Sequence, residues 1–500
     1  MGGHYRMLYF DIIAEHPDDK TALIFKNQIM TYGQLRRKVA KWANFLQSHG
    51  VKKGDKVGLL SKNCADFVVS YFAIIKAGAV VVPFNFQLAS REVAFIVKDA
   101  SMKFMIARQK LEMADALAEI GYENGLLQFD YEDMCQETNH EFVSCDMDEN
   151  DNCTIIYTSG TTGIPKGAML SHKNLVANTT EFTSVVKTYS TDSALCVLPM
   201  YHCFAWTVSV SGPLYYGATI VVQETYIFKD TMKLISAHNV NTFAGVPTMI
   251  QLFYKGAEPE ELAGIRYFIS GGAPLPRILA EGFKNKFGKP VQEGYGLSEA
   301  SPVVSVNPTN AIKLGSIGPA LPGVTVHILN ENDEQVGTSE VGELCVRGDN
   351  VMLGYLNLPE ETATTLRDGW LHTGDLAYKD EEGFIFIVDR LKDMIISSGE
   401  NVYPREIEEV LYRHPSIFEA AVIGIPDKLR GQAICAYIVL NEGYALDKRE
   451  IRKYLLERIA PYKVPREFLF RAEMPKSATG KILKTVLREQ ALIDMVNRKR

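Results

Sequence analysis

Residues 157–167 read YTSGTTGIPKG. Three glycines, four Ser/Thr hydroxyls and one lysine follow directly on an apolar run, and no core can be built from them. Glycines let backbone N–H groups approach a ligand closely, hydroxyls add donors, and the lysine adds a mobile point charge, so polyphosphate is the ligand this loop suits. It is not a P-loop: GxxxxGK[ST] requires glycine five positions after the first, and Pro165 stands at that distance from Gly160. GYGLSE (294–299) fails a second template. It begins like the dinucleotide fingerprint GxGxxG but carries Glu299 where a third glycine would pack the helix, and a carboxylate there suits a magnesium ion instead. Both departures point to ATP-type chemistry outside the common nucleotide folds.

Outward from that loop the first four-fifths of the chain alternates helix and strand. Apolar positions from Tyr32 to Leu46 share a helix face, KVGLL (56–60) is strand-like, Phe67 to Lys76 helical, and AVVVPF (79–84) strand-like again. Such alternation predicts an α/β fold with mainly parallel sheets covered on both faces. Near residue 313 the pattern shifts to VTVHIL, GELCVRG and DEEGFIFIVDR, short strands punctuated by Gly and Asp, with EEG as a hairpin turn, which reads as a β-rich subdomain. After DRLKD, Pro404 opens a helix with Ile407, Val410 and Leu411 on one face, AAVIGI and ICAYIVL are strands, and Arg449 to Ile459 is a helix. The division expected is a large domain of residues 1–390, made of layered α/β subdomains plus the β-rich subdomain, and a small α+β domain of residues 391–500.

A chain of 500 residues with 46% apolar and 23% charged residues has ample material for a core. Residues 391–500 hold 20 Lys+Arg against 15 Asp+Glu, a net +5, so the first 390 carry −12 of the overall −7. A basic lid over an anionic ligand and ordinary surface variation both account for this. The net negative charge argues against a nucleic-acid partner. Eight scattered cysteines form no CxxC pair, and the N-terminus has no signal-peptide run, so a reduced, cytoplasmic protein is expected. The most apolar window, 67–86, is broken by Lys76, Gly78 and Pro83, so no transmembrane segment is expected.

Read together, YTSGTTGIPKG, YGLSE, LHTGD, DRLKD and PKSATGK resemble, in order and spacing, the adenylate-forming acyl-CoA synthetase superfamily, and MTYGQL (30–35) and IKAGAVVVPFN (75–85) extend the likeness over nearly the full chain. The resemblance, which extends to the bacterial medium- and long-chain fatty acyl-CoA ligases, implies two steps: carboxylate plus ATP gives acyl-AMP and pyrophosphate, then a thiol, CoA, displaces AMP. It implies that Thr158, Ser159, Gly160, Thr161, Thr162, Gly163 and Lys166 close on the β- and γ-phosphates. Gly271, Gly272 and Ala273 would form the strip along which adenine stacks, with Tyr295 on the other face and Gly296 beside it. Asp375 would accept both ribose hydroxyls and Arg390 contact ribose or phosphate. Glu299 would hold Mg2+, next to Ser298 where the family usually has threonine. Lys481 would be the catalytic lysine, brought to the site by a mobile C-terminal domain that later turns about Lys392 to present the loop of Ser398, Gly399 and Glu400 as a CoA tunnel. Ser398 stands where many relatives have glycine.

His202, Trp206 and Val208, in LPMYHCFAWTVSVSG, resemble the acyl-pocket region, with His202 beside the substrate carboxylate and Trp206 gating or flooring a tunnel. HNVNTFAGVPTMI is apolar where an amino-acid-activating domain places an aspartate, so a medium- or long-chain fatty acid leads and other apolar or aromatic acids follow. A carrier-protein thiol in place of CoA, and a homodimer, stay open.

Overall fold

The computed structural model describes residues 7–142, 145–159, 165–427, 429–477 and 480–497. The first expected helix spans Tyr32–Ser48 and is started by a reciprocal cap: Gln34 N–H donates to Thr31 Oγ1 and Thr31 N–H to Gln34 Oε1. Strand Lys56–Leu60, helix Ala65–Lys76 and strand Val80–Pro83 follow as their apolar patterns require.

Two sheets with parallel centres carry the large domain. One has eight strands in the order Val303–Val306, Val291–Gly296, Tyr267–Ser270, Thr242–Gly245, Ser193–Cys196, Thr219–Val222, Thr21–Phe25, Gln28–Thr31, antiparallel only at its two ends. The other has seven, in the order Gly354–Tyr355, Pro165–Ser171, Asn152–Ser159, Val80–Pro83, Lys56–Leu60, Phe104–Ala107, Leu127–Phe129. Both faces of the parallel strands are apolar, so each sheet must be covered twice. The core between them draws Leu23 and Ile220 from one sheet and Val57 and Val81 from the other, onto Trp42, Phe67, Phe72 and Trp206.

The β-rich subdomain is a third sheet, with strands Val324–Leu329, Gly342–Gly348, Trp370–Lys379, Leu366–Arg367 and Ile385–Arg390. Its hairpin turns at Asp380–Gly383, where Gly383 takes φ +85° and donates to Asp380 O. The expected EEG turn lies here. A fourth sheet, from Ile395–Ser397 to Glu467–Phe470, is built on the long antiparallel pair Ile417–Asp427 and Gly431–Leu440 and carries helices Pro404–Tyr412, Lys448–Leu456 and Lys484–Asn497. This unit lies against the large domain: Lys255 Nζ bonds Asn441 Oδ1 at 3.0 Å and rides over the Phe418 ring. No helix among the described residues is long and apolar enough to cross a membrane.

Candidate active site

A cavity of about 1980 Å3 opens at the C-terminal ends of strands Tyr267–Ser270 and Val291–Gly296 and is closed from the other side by residues of the segments 405–421 and 480–489. Open parallel sheets bind ligands at such strand ends, because chain leaving the strands supplies free backbone groups there. Gly271, Gly272 and Ala273 form one edge. Gly272 holds φ +78°, a conformation glycine adopts without strain, and a Cβ at Gly271 would meet the Phe204 ring at 3.0 Å.

The opposite edge is ionic. Asp375 and Arg390 are register partners in the pair Trp370–Lys379 and Ile385–Arg390, which sets Arg390 Nε 3.3 Å from Asp375 Oδ1. The Tyr295 phenol donates to Asp375 Oδ2 at 2.5 Å. Within the strand, the backbone before Asp375 is held by Gly374 N–H to Glu343 Oε1 (2.9 Å) and Asp375 N–H to Thr373 Oγ1 (3.1 Å). The result is a fixed carboxylate with lone pairs toward the cavity, able to accept two hydroxyl donors.

Thr158 and Lys166 pair across the antiparallel strands Asn152–Ser159 and Pro165–Ser171, so both line the cavity. Gly160, Thr161, Thr162 and Gly163 lie outside the described residues, and so does the Ser159 side chain. Lys166 Nζ sits 3.8 Å from Glu361 and 5.5 Å from the Tyr355 ring centre. Glu299 stands on the turn Ser298–Ala300, where its Oε1 accepts from the Tyr355 phenol at 2.8 Å, and Ser298 Oγ contacts Cys203 Sγ at 3.3 Å. One carboxylate oxygen fixed by a phenol, flanked by a hydroxyl on the same turn, is a hard-oxygen donor set that fits Mg2+.

Lys481 enters from the small domain. Its loop is closed by Ser477 N–H to Lys481 O (2.8 Å) and Lys481 N–H to Ser477 Oγ (3.2 Å). Gly480 packs near Val246 and Thr248 of the large domain. Burial, with the Arg390 guanidinium beside it, lowers the Lys481 amine to about 8, against the pull of Asp375 and Asp393. Burial and the Lys481 charge lower His202 to about 4, so its imidazole is neutral, and Nδ1 accepts from Phe204 N–H. Lys392, on the turn Leu391–Asp393, also reaches the cavity.

Beyond His202 the wall turns apolar: Phe204, Val208, Phe182, Val303, Val306 and Ile317. Trp206 does not join it. The Trp206 ring stacks on Tyr71 at 3.8 Å and packs against Phe67 and Phe72 in the core between the sheets, and it lines a small void beside the cavity, whose Tyr201 and Cys203 wall it shares, instead of the cavity itself. Residues two apart on a helix point to different sides, and Trp206–Ser211 is a π-helical turn that widens this divergence, leaving Val208 facing the cavity. Ser398, Gly399 and Glu400 are absent from the cavity wall and stand exposed on the hairpin Ile395–Ser397 to Glu400–Val402. Ser398 holds φ +57°, a backbone state that favours glycine.

Three residues of this site had no motif in the sequence. Tyr355 lies on a two-residue strand 56 positions from Glu299. Phe204 lies two residues after His202, and a lone phenylalanine there carries no sign of its packing on Gly271. Glu293, the acid directly before GYG in the strand VQEGYG, was the one visible signal.

Residues 10–356 match the family described as AMP-binding enzyme, and residues 406–481 match AMP-binding enzyme C-terminal domain. A long-chain-fatty-acid–CoA ligase of Bacillus subtilis is 36% identical over 96% of this chain and 93% of its own length. A feruloyl-CoA synthase of an Amycolatopsis species is 36% identical over 94% and 96%. Among solved structures, ATP-bound MatB from Rhodopseudomonas palustris superposes with a TM-score of 0.92 at 29% identity, covering 97% and 99% of the two chains. The o-succinylbenzoate coenzyme A synthetase of Bacillus subtilis, in complex with ATP and magnesium, gives 0.86 at 31% identity over 96% and 98%. The chain therefore belongs to the AMP-binding enzyme family. It is an adenylate-forming, ATP-dependent acyl-CoA ligase.

Proposed function

We propose that the acid activated is a medium- or long-chain fatty acid, that CoA is the thiol acceptor, and that Lys481, Glu299, His202, Asp375 and Arg390 carry the chemistry as their family counterparts imply. The observation that carries the substrate reading is the wall beyond His202, where Phe182, Phe204, Val208, Val303, Val306 and Ile317 present only hydrocarbon and none can anchor an ammonium or a second carboxylate. Burying each methylene of a chain there is worth about 0.8 kcal/mol.

The geometry supports a division of labour. Asp375 accepts the ribose hydroxyls and Tyr295 holds its orientation, while the strip at Gly271–Ala273 receives the base. Arg390 and Lys481 stand on one side of the carboxylate–phosphate junction, where negative charge accumulates as the carboxylate oxygen attacks the α-phosphorus and pyrophosphate leaves. Neutral His202 orients the substrate carboxylate without an ion-pair competitor. Glu299 would hold Mg2+, whose charge when bound neutralises phosphate oxygens. Residues 391–500 then turn about Lys392 relative to residues 1–390, removing Lys481 and bringing the exposed Ser398–Glu400 hairpin to the same site for thioester formation.

The feruloyl-CoA synthase likeness, equal in identity to the fatty-acid one, favours an aromatic carboxylate as the second reading. Pyrophosphate release across a panel of C6–C18 fatty acids and cinnamic acids, with and without CoA, separates them. Fatty-acid turnover with thioester detected supports the proposal. Turnover confined to aromatic acids sinks it, and adenylate without thioester transfers the function to carrier loading.

A further inference from the structure

A buried charged contact between Glu293 and Arg405 spans the two domains. Glu293 is 5% exposed and ends the parallel part of strand Val291–Gly296. Its Oε1 accepts from Leu275 N–H at 3.1 Å, two residues beyond the Gly271–Ala273 strip, and lies 4.0 Å from Arg405 Nη2. Arg405 is on helix Pro404–Tyr412 of the small domain and is itself held in place: Nη1 donates to Ile387 O at 2.7 Å, and its backbone N–H donates to Asp389 Oδ2 at 2.9 Å. One helical turn on, Glu409 Oε2 accepts from Arg277 N–H at 3.3 Å. Residues four apart share a helix face, so Arg405 and Glu409 reach the large domain together, and they land at Glu293 and Arg277, beside the exit of the adenine strip.

We infer that Glu293 and Arg405 form a cross-domain latch that holds the small domain in the orientation that delivers Lys481, with Glu293 as a positioning residue for adenylation. The inference rests on the two-orientation reading above. Physical chemistry gives the latch its direction. A carboxylate this deep is stable as an ion only with a cation beside it, and burial pushes Glu293 up to about 7, with Arg405 pulling down and Glu409 pushing up. When the small domain turns, Arg405 leaves, and the carboxyl keeps only the Leu275 amide. The charged pair exists in one orientation and not in the other, which is the differential contact a two-state element needs. Glu293 touches no reacting atom; it acts through the position of Lys481.

The test uses purified full-length enzyme and its two half-reactions: ATP–pyrophosphate exchange with the acid, and CoA-dependent consumption of supplied acyl-AMP. Glu293→Gln keeps an acceptor for Leu275 N–H and removes the charge. The expected result is an exchange rate constant down about tenfold, within the usual range of coupling energies, with the KM for ATP within about twofold. The thioester half-reaction should be unchanged or faster. Arg405→Gln should show the same split, and the double variant should lose no more than either single one. Should Glu293→Gln fail to fold, the split in Arg405→Gln decides. Full exchange in the variants, parallel loss of both half-reactions, additive losses, or a raised KM for ATP at constant kcat would each overturn the latch. Absence of exchange in the unaltered enzyme with every acid would instead defeat the proposed function, and is seen before any variant is made.

Discussion

The Tyr295 phenol and the Asp375 carboxylate are joined by a 2.5 Å hydrogen bond that ties the end of a parallel strand to the β-rich subdomain, two segments 80 residues apart. Burial and the nearby Asp375 charge push the phenol far above its ordinary range, so it stays a neutral donor at every working pH. A hydrogen bond to a charged acceptor contributes about 1.5 kcal/mol or more. Tyr295→Phe should therefore raise the KM for ATP about tenfold and leave the KM for the acid unchanged, as initial-rate kinetics will read. Asp375→Asn, which keeps the shape and loses the charge facing Arg390, should cost more than Tyr295→Phe.

Lys481 reaches the cavity from a loop more than 300 residues downstream of Lys166. Its role is confined to the step in which charge builds on the α-phosphate, so Lys481→Ala should lower acyl-AMP formation about 10²- to 10³-fold, the size seen when one preorganised donor to a transition-state charge is removed. Thioester formation from supplied acyl-AMP should stay within about twofold. Rapid-quench measurement of each half-reaction distinguishes this from a structural lesion, which would lower both.

Much of this arrangement was legible because it is local. The apolar face from Tyr32 to Leu46 announces a helix, KVGLL a buried strand, and the runs YTSGTTGIPKG, GYGLSE and LHTGD each gather polar groups for a ligand within a few residues. The illegible part is the part made by distant pairing. Tyr355 reaches Glu299, and Arg405 reaches Glu293, only after separate sheets have packed, and a lone tyrosine or arginine carries no record of its partner. Trp206 illustrates a different limit. An apolar run says that its side chains avoid water, whether at a core or at a hydrocarbon-binding wall, and only the turn geometry separates Trp206 from Val208.

The pH dependence of adenylation follows from the Lys481 environment. The amine, at about 8 instead of the ordinary value above 10, is cationic below that pH and loses its proton as pH rises through it. Only the cation can face accumulating phosphate charge, so kcat/KM for ATP–pyrophosphate exchange should fall with unit slope above about pH 8. His202, already neutral above about 4, imposes no acidic limb near neutrality. Lys481→Arg, whose guanidinium does not deprotonate in this range, should lower the plateau and abolish the basic limb. A wild-type exchange profile that stays flat to about pH 10 would remove Lys481 from the charge-stabilising role.

Val208 and Trp206 offer the sharpest separation of wall from core. Val208 lines the hydrocarbon end of the cavity, and replacing it with phenylalanine fills space that the chain's distal methylenes would occupy. Losing contact with two or three methylenes at about 0.8 kcal/mol each should lower kcat/KM for C16 acids by roughly 10- to 60-fold while C8 acids are spared. Trp206 is 3% exposed, stacked on Tyr71 and wedged against Phe67 and Phe72. Trp206→Ala therefore removes core volume and should cost about 3–5 kcal/mol of folding stability, read as a lowered midpoint in urea. The chain-length preference of whatever remains folded should be unchanged. A Trp206→Phe variant, which keeps an aromatic ring on Tyr71, should keep both stability and preference close to those of the parent. If Trp206→Phe shifts the preferred chain length instead, the indole belongs to the acyl wall after all.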